Sequence, residues 1–380
     1  MSTRREFLLV SAAAGLATAA FHDIAQAGAE TGLSLHKPPE GLRAHLNAQM
    51  AQYQIPGMQV AVVQHGRVVF RDTIGLADVE NAVPVGDSTV FQIASLTKAF
   101  VGVAVMQLVE GGKLDFDAPA SRYLQGLPAV WQVVTVGQIA THTSGLPDIT
   151  SDLGTLRLIV ANDAEASWKK IQTMPMEFTP GEKFSYNQTN YVILGKIIDA
   201  LSGEPFAQFI QRRQFDVVGM LRTVWGDDHD VVLHSARTYT PYLQANGKTF
   251  HTDVLYKAYI EFPPMLRTCG GLNSTAEDIA NWLIALERGD LFKSKSSLAT
   301  LRTARLLNNG KPGPWGIGGW ISDRADHPVF FGIGAAKSAF GVYTRDDLAI
   351  VVLTNLSADM WLTFLDGIAA YYLPGLSNSK

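Results

Sequence analysis

Apolar positions in this chain follow two periods, and their order predicts the architecture. The segment "GLRAHLNAQMAQYQ" is spaced for a helix that stops at Ile55-Pro56-Gly57. "MQVAVVQ" and "RVVFRDTIG" are β-branched runs around a His65-Gly66 turn and predict a hairpin. The middle of the chain reads as helices and Gly/Pro-marked loops, including "KAFVGVAVMQLVEGG", "TVGQIATHTSGLPD", "YNQTNYVILGKIIDALSG" and "TAEDIANWLIALERG". Strands return late in "WGIGGWIS", "SAFGVYT" and "LAIVVLTN", the last two joined through Arg345-Asp346-Asp347, and a final helix spans about Ala358 to Leu373. Strands at both ends with helices between them predict a sheet assembled from the two termini and a helical lobe inserted in the middle, forming one folding unit with two lobes. A cleft between the lobes is where a small molecule would bind.

Composition narrows the function. The chain has 380 residues, 47% hydrophobic and 17% charged, with a net charge of -4. That balance fits a globular protein with a sizeable core and gives no electrostatic reason for nucleic-acid binding. Arg4 and Arg5 precede an apolar run, and Ala25-Gln26-Ala27 follows as a small-residue cleavage site, so residues 1–27 read as an export signal of twin-arginine-like form. The run from Leu8 to Phe21 is shorter than the roughly 20 residues of a spanning helix, so a stable membrane anchor is not expected. Residues 28–380 would form the mature protein, periplasmic or secreted. Cys269 is the sole cysteine and reads as a small buried residue, leaving no internal disulfide. The histidines show no H-E-x-x-H and there are no paired cysteines, so neither a metal nor another cofactor is implied.

Ser95 and Lys98 carry the candidate chemistry. The same Ser-x-x-Lys spacing recurs at Ser34/Lys37, Ser167/Lys170 and Ser377/Lys380. Only Ser95 opens a long apolar helical segment. On a helix, positions i and i+3 share a face, so the Lys98 amine can reach the Ser95 hydroxyl, and the helix N-terminus favours an oxyanion there.

The blocks "IPGMQVAVVQHGRVV", "TVFQIASLTKAF", "LVEGGKLDFDAPASRYL", "IATHTSGLP", "TPGEKFSYNQTNYVILGKII" and "GGLNSTAEDIANWL" together resemble the serine β-lactamase family over about residues 40 to 375. The nearest branch holds class C β-lactamases, D-Ala-D-Ala peptidases and related esterases. The resemblance implies an α/β (α+β) fold of β-lactamase/transpeptidase type, with its antiparallel sheet built from both termini. It also implies that Ser95 is the acylated nucleophile, that Lys98 shares its proton, and that Tyr186 is the third member. Lysine and tyrosine both titrate near 10, too high for either alone to act as a base at neutral pH, so the two are expected to act as a coupled pair, with the base left open. A Ser-His triad of His142 with Ser144 or Ser95 is rejected, because no G-x-S-x-G elbow exists and "THTSG" resembles a structural loop of the family.

Two positions depart from the family pattern. Tyr-x-Asn becomes Tyr186-Asn187-Gln188, keeping an amide at Gln188 on a longer stem. The Lys-Thr-Gly or His-x-Gly motif should fall within "VFFGIGAAKSAFGVY", where Gly332 or Ile333 takes the place of its cation, and Lys337 and His327 lie close enough in sequence to substitute for it. Gly334 and Ala335 offer no side chain to hold a carboxylate, although such small residues admit close approach of a substrate beside an oxyanion hole. The reading is therefore a hydrolase of small esters, amides or peptides. A β-lactamase or D-Ala-D-Ala carboxypeptidase, and a non-catalytic binding homologue, are its alternatives.

Overall fold

The computed structural model describes residues 39–376 apart from 162, 228–229, 246–247, 259–261, 323, 336–337, 358–361 and 374; the expected export segment lies outside the described residues. A seven-stranded antiparallel sheet is its frame. Its strands are β1 (Gly57–Gln64), β2 (Arg67–Asp78), β3 (Val83–Pro84), β4 (Trp320–Ser322), β5 (Val329–Gly334), β6 (Ser338–Tyr343) and β7 (Leu348–Thr354), ordered β3-β2-β1-β7-β6-β5-β4. The two ends of the chain meet where β1 pairs β7, from Met58 opposite Thr354 to Gln64 opposite Leu348. His65 and Gly66 both adopt positive φ, 54° and 65°, which matches the right-handed twist of the β1–β2 hairpin.

Strand alternation sends side chains to two cores. Met58, Val60, Val62, Ile350 and Val352 pack under the terminal helices Leu42–Tyr53 and Leu362–Ala369. Ala61, Val63, Val351 and Leu353 face the opposite core with the helix Ala276–Arg288 and the inserted helices. Both faces are covered, so β1 and β7 read as nearly continuous apolar runs. Among the described residues no helix is long and apolar enough to cross a membrane.

The helix Thr97–Glu110 runs through the second core and is buried at every residue from Thr97 to Leu108. A helix apolar on all sides stays helical because neighbours cover all of it. Glycines permit that closeness: a Cβ on Gly102 would stand 2.6 Å from the Ile317 carbonyl oxygen, and one on Gly318 (φ 91°) would stand 2.7 Å from the Lys98 carbonyl oxygen. The turn around Gly318 thus lies flush on the helix.

Two expectations are corrected. "WGIGGWIS" is a strand only at its end, because Gly316 N–H donates to Gly319 O and closes a turn that packs on the side of the helix Thr97–Glu110. The middle of the chain also contains strands: a hairpin of Tyr239–Ala245 with Lys248–Lys257, and a small sheet of Phe91–Gln92, Leu272–Ser274 and Val224–Trp225. Strands of two or three residues are too short to carry a periodic signal.

Gly102→Ala tests the close approach. Helix propensity alone favours alanine by about 1 kcal/mol, whereas forcing a methyl against a backbone carbonyl costs roughly 1–3 kcal/mol. The expected outcome is a net loss of stability, read as a lower denaturant midpoint; a raised midpoint would show that the turn moves away freely.

Candidate active site

The nucleophile turn is pinned by its neighbours. Ile93 N–H donates to Leu272 O at 3.0 Å, and Leu272 N–H donates to Thr97 Oγ1 at 3.1 Å, so the small sheet grips both sides of residues 94–96. Ala94 adopts φ 45°, a left-handed conformation that bends the chain sharply into the Ala94–Leu96 turn and places Ser95 at the helix mouth. One turn further on, Lys98 has no exposed surface. Its Nζ donates to the Cys269 carbonyl at 2.6 Å and to Ser95 Oγ at 3.3 Å. The faces of Tyr186 and Tyr191 stand 4.8 and 5.3 Å from that nitrogen, and among the described residues no carboxylate pairs with it. Ser95, Lys98 and Tyr186 are thus brought together, although Tyr186 meets Lys98 through its ring.

Tyr186 owes its position to a zipper between the loop 142–149 and the helix Gln188–Ser202. Asn187 caps that helix by accepting from Asn190 N–H and donates to Leu146 O; Ile149 N–H donates to Thr189 Oγ1, which donates to Pro147 O. Ser144 is consumed here, donating to Asn190 Oδ1 at 2.7 Å. His142 is fully buried, with its ring 4.5 Å from that of Tyr186 and 4.9 Å from that of Trp315. Its Nδ1 accepts from Asn187 N–H, which assigns the proton to Nε2. Burial, with the nearby Lys98 charge adding to it, holds His142 well below its ordinary 6.5, so the ring is neutral. Neither residue faces Ser95 as part of a triad.

A cavity of about 260 Å³ opens at Ser95, with Gln188 and Ala335 in its lining. Gly334 does not line it. A Cβ on Gly334 would stand 2.3 Å from Ile93 O, so the glycine seats β5 against the nucleophile turn. Of the two positions expected to replace the motif's cation, Gly332 shares the side of β5 that Gly334 turns to the nucleophile turn. Gly332 lies opposite Phe340, whose ring would stand 2.7 Å from a Cβ there, whereas Ile333 packs on the other core. His327 pairs with Asp346 at the far end of the six-residue β5, roughly 20 Å away at strand rise. Lys337 lies outside the described residues.

Sequence reasoning missed the Cys269 carbonyl and Tyr191. The thiol of Cys269 is inert: burial pushes it up to about 11, and Sγ donates to Gln188 O. Its backbone oxygen is what holds Lys98, and a carbonyl carries no sequence signal. Tyr191 is visible in the sequence as a helical residue, but its facing Lys98 is not. Among the described residues, no group of three His, Cys, Asp or Glu is arranged to hold a metal ion.

The chain is similar to known proteins over most of its length. A family model described as Beta-lactamase matches residues 42–367. Protein flp of Staphylococcus aureus (strain MW2) is 27% identical over 314 residues, covering 80% of this chain and 60% of that protein. The chain therefore spans about 60% of the length of that relative. The octameric penicillin-binding protein homologue from Pyrococcus abyssi superposes with a TM-score of 0.72 at 25% identity, covering 89% of this chain and 78% of that one. A D-amino acid amidase from Ochrobactrum anthropi SV3 shares the fold, with a TM-score of 0.72 at 23% identity over 89% of this chain and 99% of that one.

The buried neutral His142 makes stability pH-dependent. The unfolded ring binds a proton below 6.5 and the folded one resists it, so its contribution is complete above 6.5 and is lost as pH falls toward the depressed folded value. His142→Asn keeps an acceptor and tolerates the φ of 56°. Denaturant titrations between pH 7 and 5 should show a slope shallower than wild type, by at most about 1.4 kcal/mol per pH unit. Equal slopes would mean that the wild-type ring takes up its proton without opening the site.

Proposed function

The chain belongs to the Beta-lactamase family, and on that premise we propose that it is a serine hydrolase of small ester or amide substrates, acting through an acyl-enzyme on Ser95. The observation that carries this reading is a lysine with no exposed surface and no carboxylate partner among the described residues, its amine 3.3 Å from a serine hydroxyl that opens into a cavity. Burying an amine without a counter-charge is costly, and the chemistry proposed at Ser95 is a reason to keep one there.

In the proposed reaction, Ser95 Oγ bonds to the substrate carbonyl carbon as its proton passes to the Lys98–Tyr186 pair. The oxyanion sits between the Ser95 amide and the end of β5, at the positive end of the helix Thr97–Glu110. As the intermediate collapses, the carbon–oxygen or carbon–nitrogen bond breaks and the departing alcohol or amine takes the proton. Water then attacks the acyl-Ser95 ester, loses its proton to the same pair, and releases the acid while Ser95 is reprotonated. Gln188, at the cavity wall, is the residue proposed to donate an amide hydrogen bond to the bound acyl group. No step calls for a metal or organic cofactor. Export through residues 1–27 is part of the same proposal, supported by the Arg4-Arg5 pair and Ala25-Gln26-Ala27.

Intact mass and turnover with p-nitrophenyl acetate test the assignment. Ser95→Ala should abolish both adduct and turnover. Lys98→Ala should lower kcat/KM by about 10²–10⁴-fold with the fold retained by circular dichroism. Turnover surviving in Ser95→Ala would move the chemistry to another residue. For export, the protein recovered from outside the cytoplasm should begin at Gly28, as read by N-terminal sequencing; retention of Met1 in that fraction would contradict cleavage.

A further inference from the structure

We propose that the Gly332–Phe340 pair and the apolar cavity beside Ser95 make this site selective for acyl groups that are uncharged and apolar, up to several carbons long. The inference rests on the acyl-enzyme reading of Ser95 and deepens it.

Three observations converge. The first is the strand that closes one side of the site. Gly332 and Gly334 alternate with Ile333, so the two glycines share the side that faces the nucleophile turn, and Ile333 packs on the opposite core. A side chain from 332 would meet the Phe340 ring at its first carbon. Phe340 is itself locked, 1% exposed, with Phe330 at 6.0 Å and Trp282 at 6.5 Å between ring centroids. The volume into which a cationic side chain would extend from this strand is therefore filled by a cross-strand aromatic ring.

Second, the cavity walls are hydrocarbon. Leu156, Ile159, Phe262, Leu266 and Leu272 line it, and its polar side chains are uncharged: Gln92, Ser95, Thr150, Gln188 and Asn273, with the weakly polar Cys269. A volume of about 260 Å³ accommodates a chain of several carbons. Third, the neighbouring cations already have partners within the protein. Arg267 donates to Asp227 at 2.8 Å and Asp230 at 2.5 Å, and Lys98 donates to the Cys269 carbonyl and Ser95. A carboxylate carried into this cavity would lose its water without gaining a cation among the described residues, whereas a methylene chain gains by leaving water.

Two p-nitrophenyl esters of equal chain length test this, one of hexanoic acid and one a half-ester of adipic acid that ends in a free carboxylate. In the wild type, kcat/KM for the neutral ester should exceed that for the anionic one by at least about 100-fold, the scale of an unpaired buried charge, and both should require Ser95. The ratio should persist in Lys337→Ala and fall at least about tenfold in Leu156→Lys, where a cation is added to the wall. A double variant, Gly332→Lys with Phe340→Ala, removes the ring and restores a cation on the strand; once circular dichroism shows it folded, its ratio should fall as well. Ser95-dependent turnover with a ratio near one, or a collapse of anionic turnover in Lys337→Ala, would overturn the specificity inference while leaving the acyl-enzyme intact. Absence of Ser95-dependent reaction with either ester would instead remove the functional reading and this inference with it.

Discussion

One buried amine organises the centre of this molecule. Lys98 is wholly buried, and its N–H donors must find acceptors or destabilise the core by roughly 1–3 kcal/mol each. It finds the carbonyl of Cys269, 171 positions away in sequence, and the hydroxyl of Ser95 one turn back. The two tyrosine faces beside it supply quadrupole stabilisation without a counter-charge. Satisfying that amine requires the Ser95 turn, the segment around Cys269 and the Tyr186 loop to converge on one point. The small sheet that ties Ile93 to Leu272 is the backbone expression of the same demand.

Closeness of this kind depends on absent side chains. Gly102 and Gly318 let the 316–319 turn rest on the nucleophile helix, and Gly334 lets β5 touch the carbonyl of Ile93. Each is a place where a Cβ would overlap a backbone atom. These glycines thus act as spacers of zero thickness, and the interlocking they permit fixes the position of Ser95. Gly332 is different in kind. Its missing side chain is replaced by Phe340 from the neighbouring strand, so the sheet keeps its packing while the site loses a position from which a charge could project.

Part of this is legible in the sequence. The terminal hairpin, the late strands and the helices Gln188–Ser202 and Ala276–Arg288 carry strong periodicity or caps, while Thr97–Glu110 shows as an apolar run too long for a strand and closed by Gly111-Gly112, and local signals of that strength survive folding. The hairpin of Tyr239–Ala245 and Lys248–Lys257 escapes the sequence reading despite its Asn246-Gly247 turn signal, because its polar-rich alternation resembles a loop. The strands of two or three residues beside Ser95 are not readable at all, since nothing in so short a stretch separates strand from coil.

By itself, the sequence determined that strands from both termini frame an inserted helical lobe and that Ser95 and Lys98 share a helix face, because period and i, i+3 spacing are local properties of a chain. It also carried the absence of a lysine or histidine at positions 332 and 333. Only the tertiary structure decided that a carbonyl at Cys269 holds the amine, that Tyr191 joins Tyr186 around it, that His142 and Ser144 are spent on the loop, and that Gly334 serves packing and Ala335 the cavity wall. Those facts depend on backbone atoms and on contacts between distant segments, which every sequence of residues possesses alike until packing selects among them.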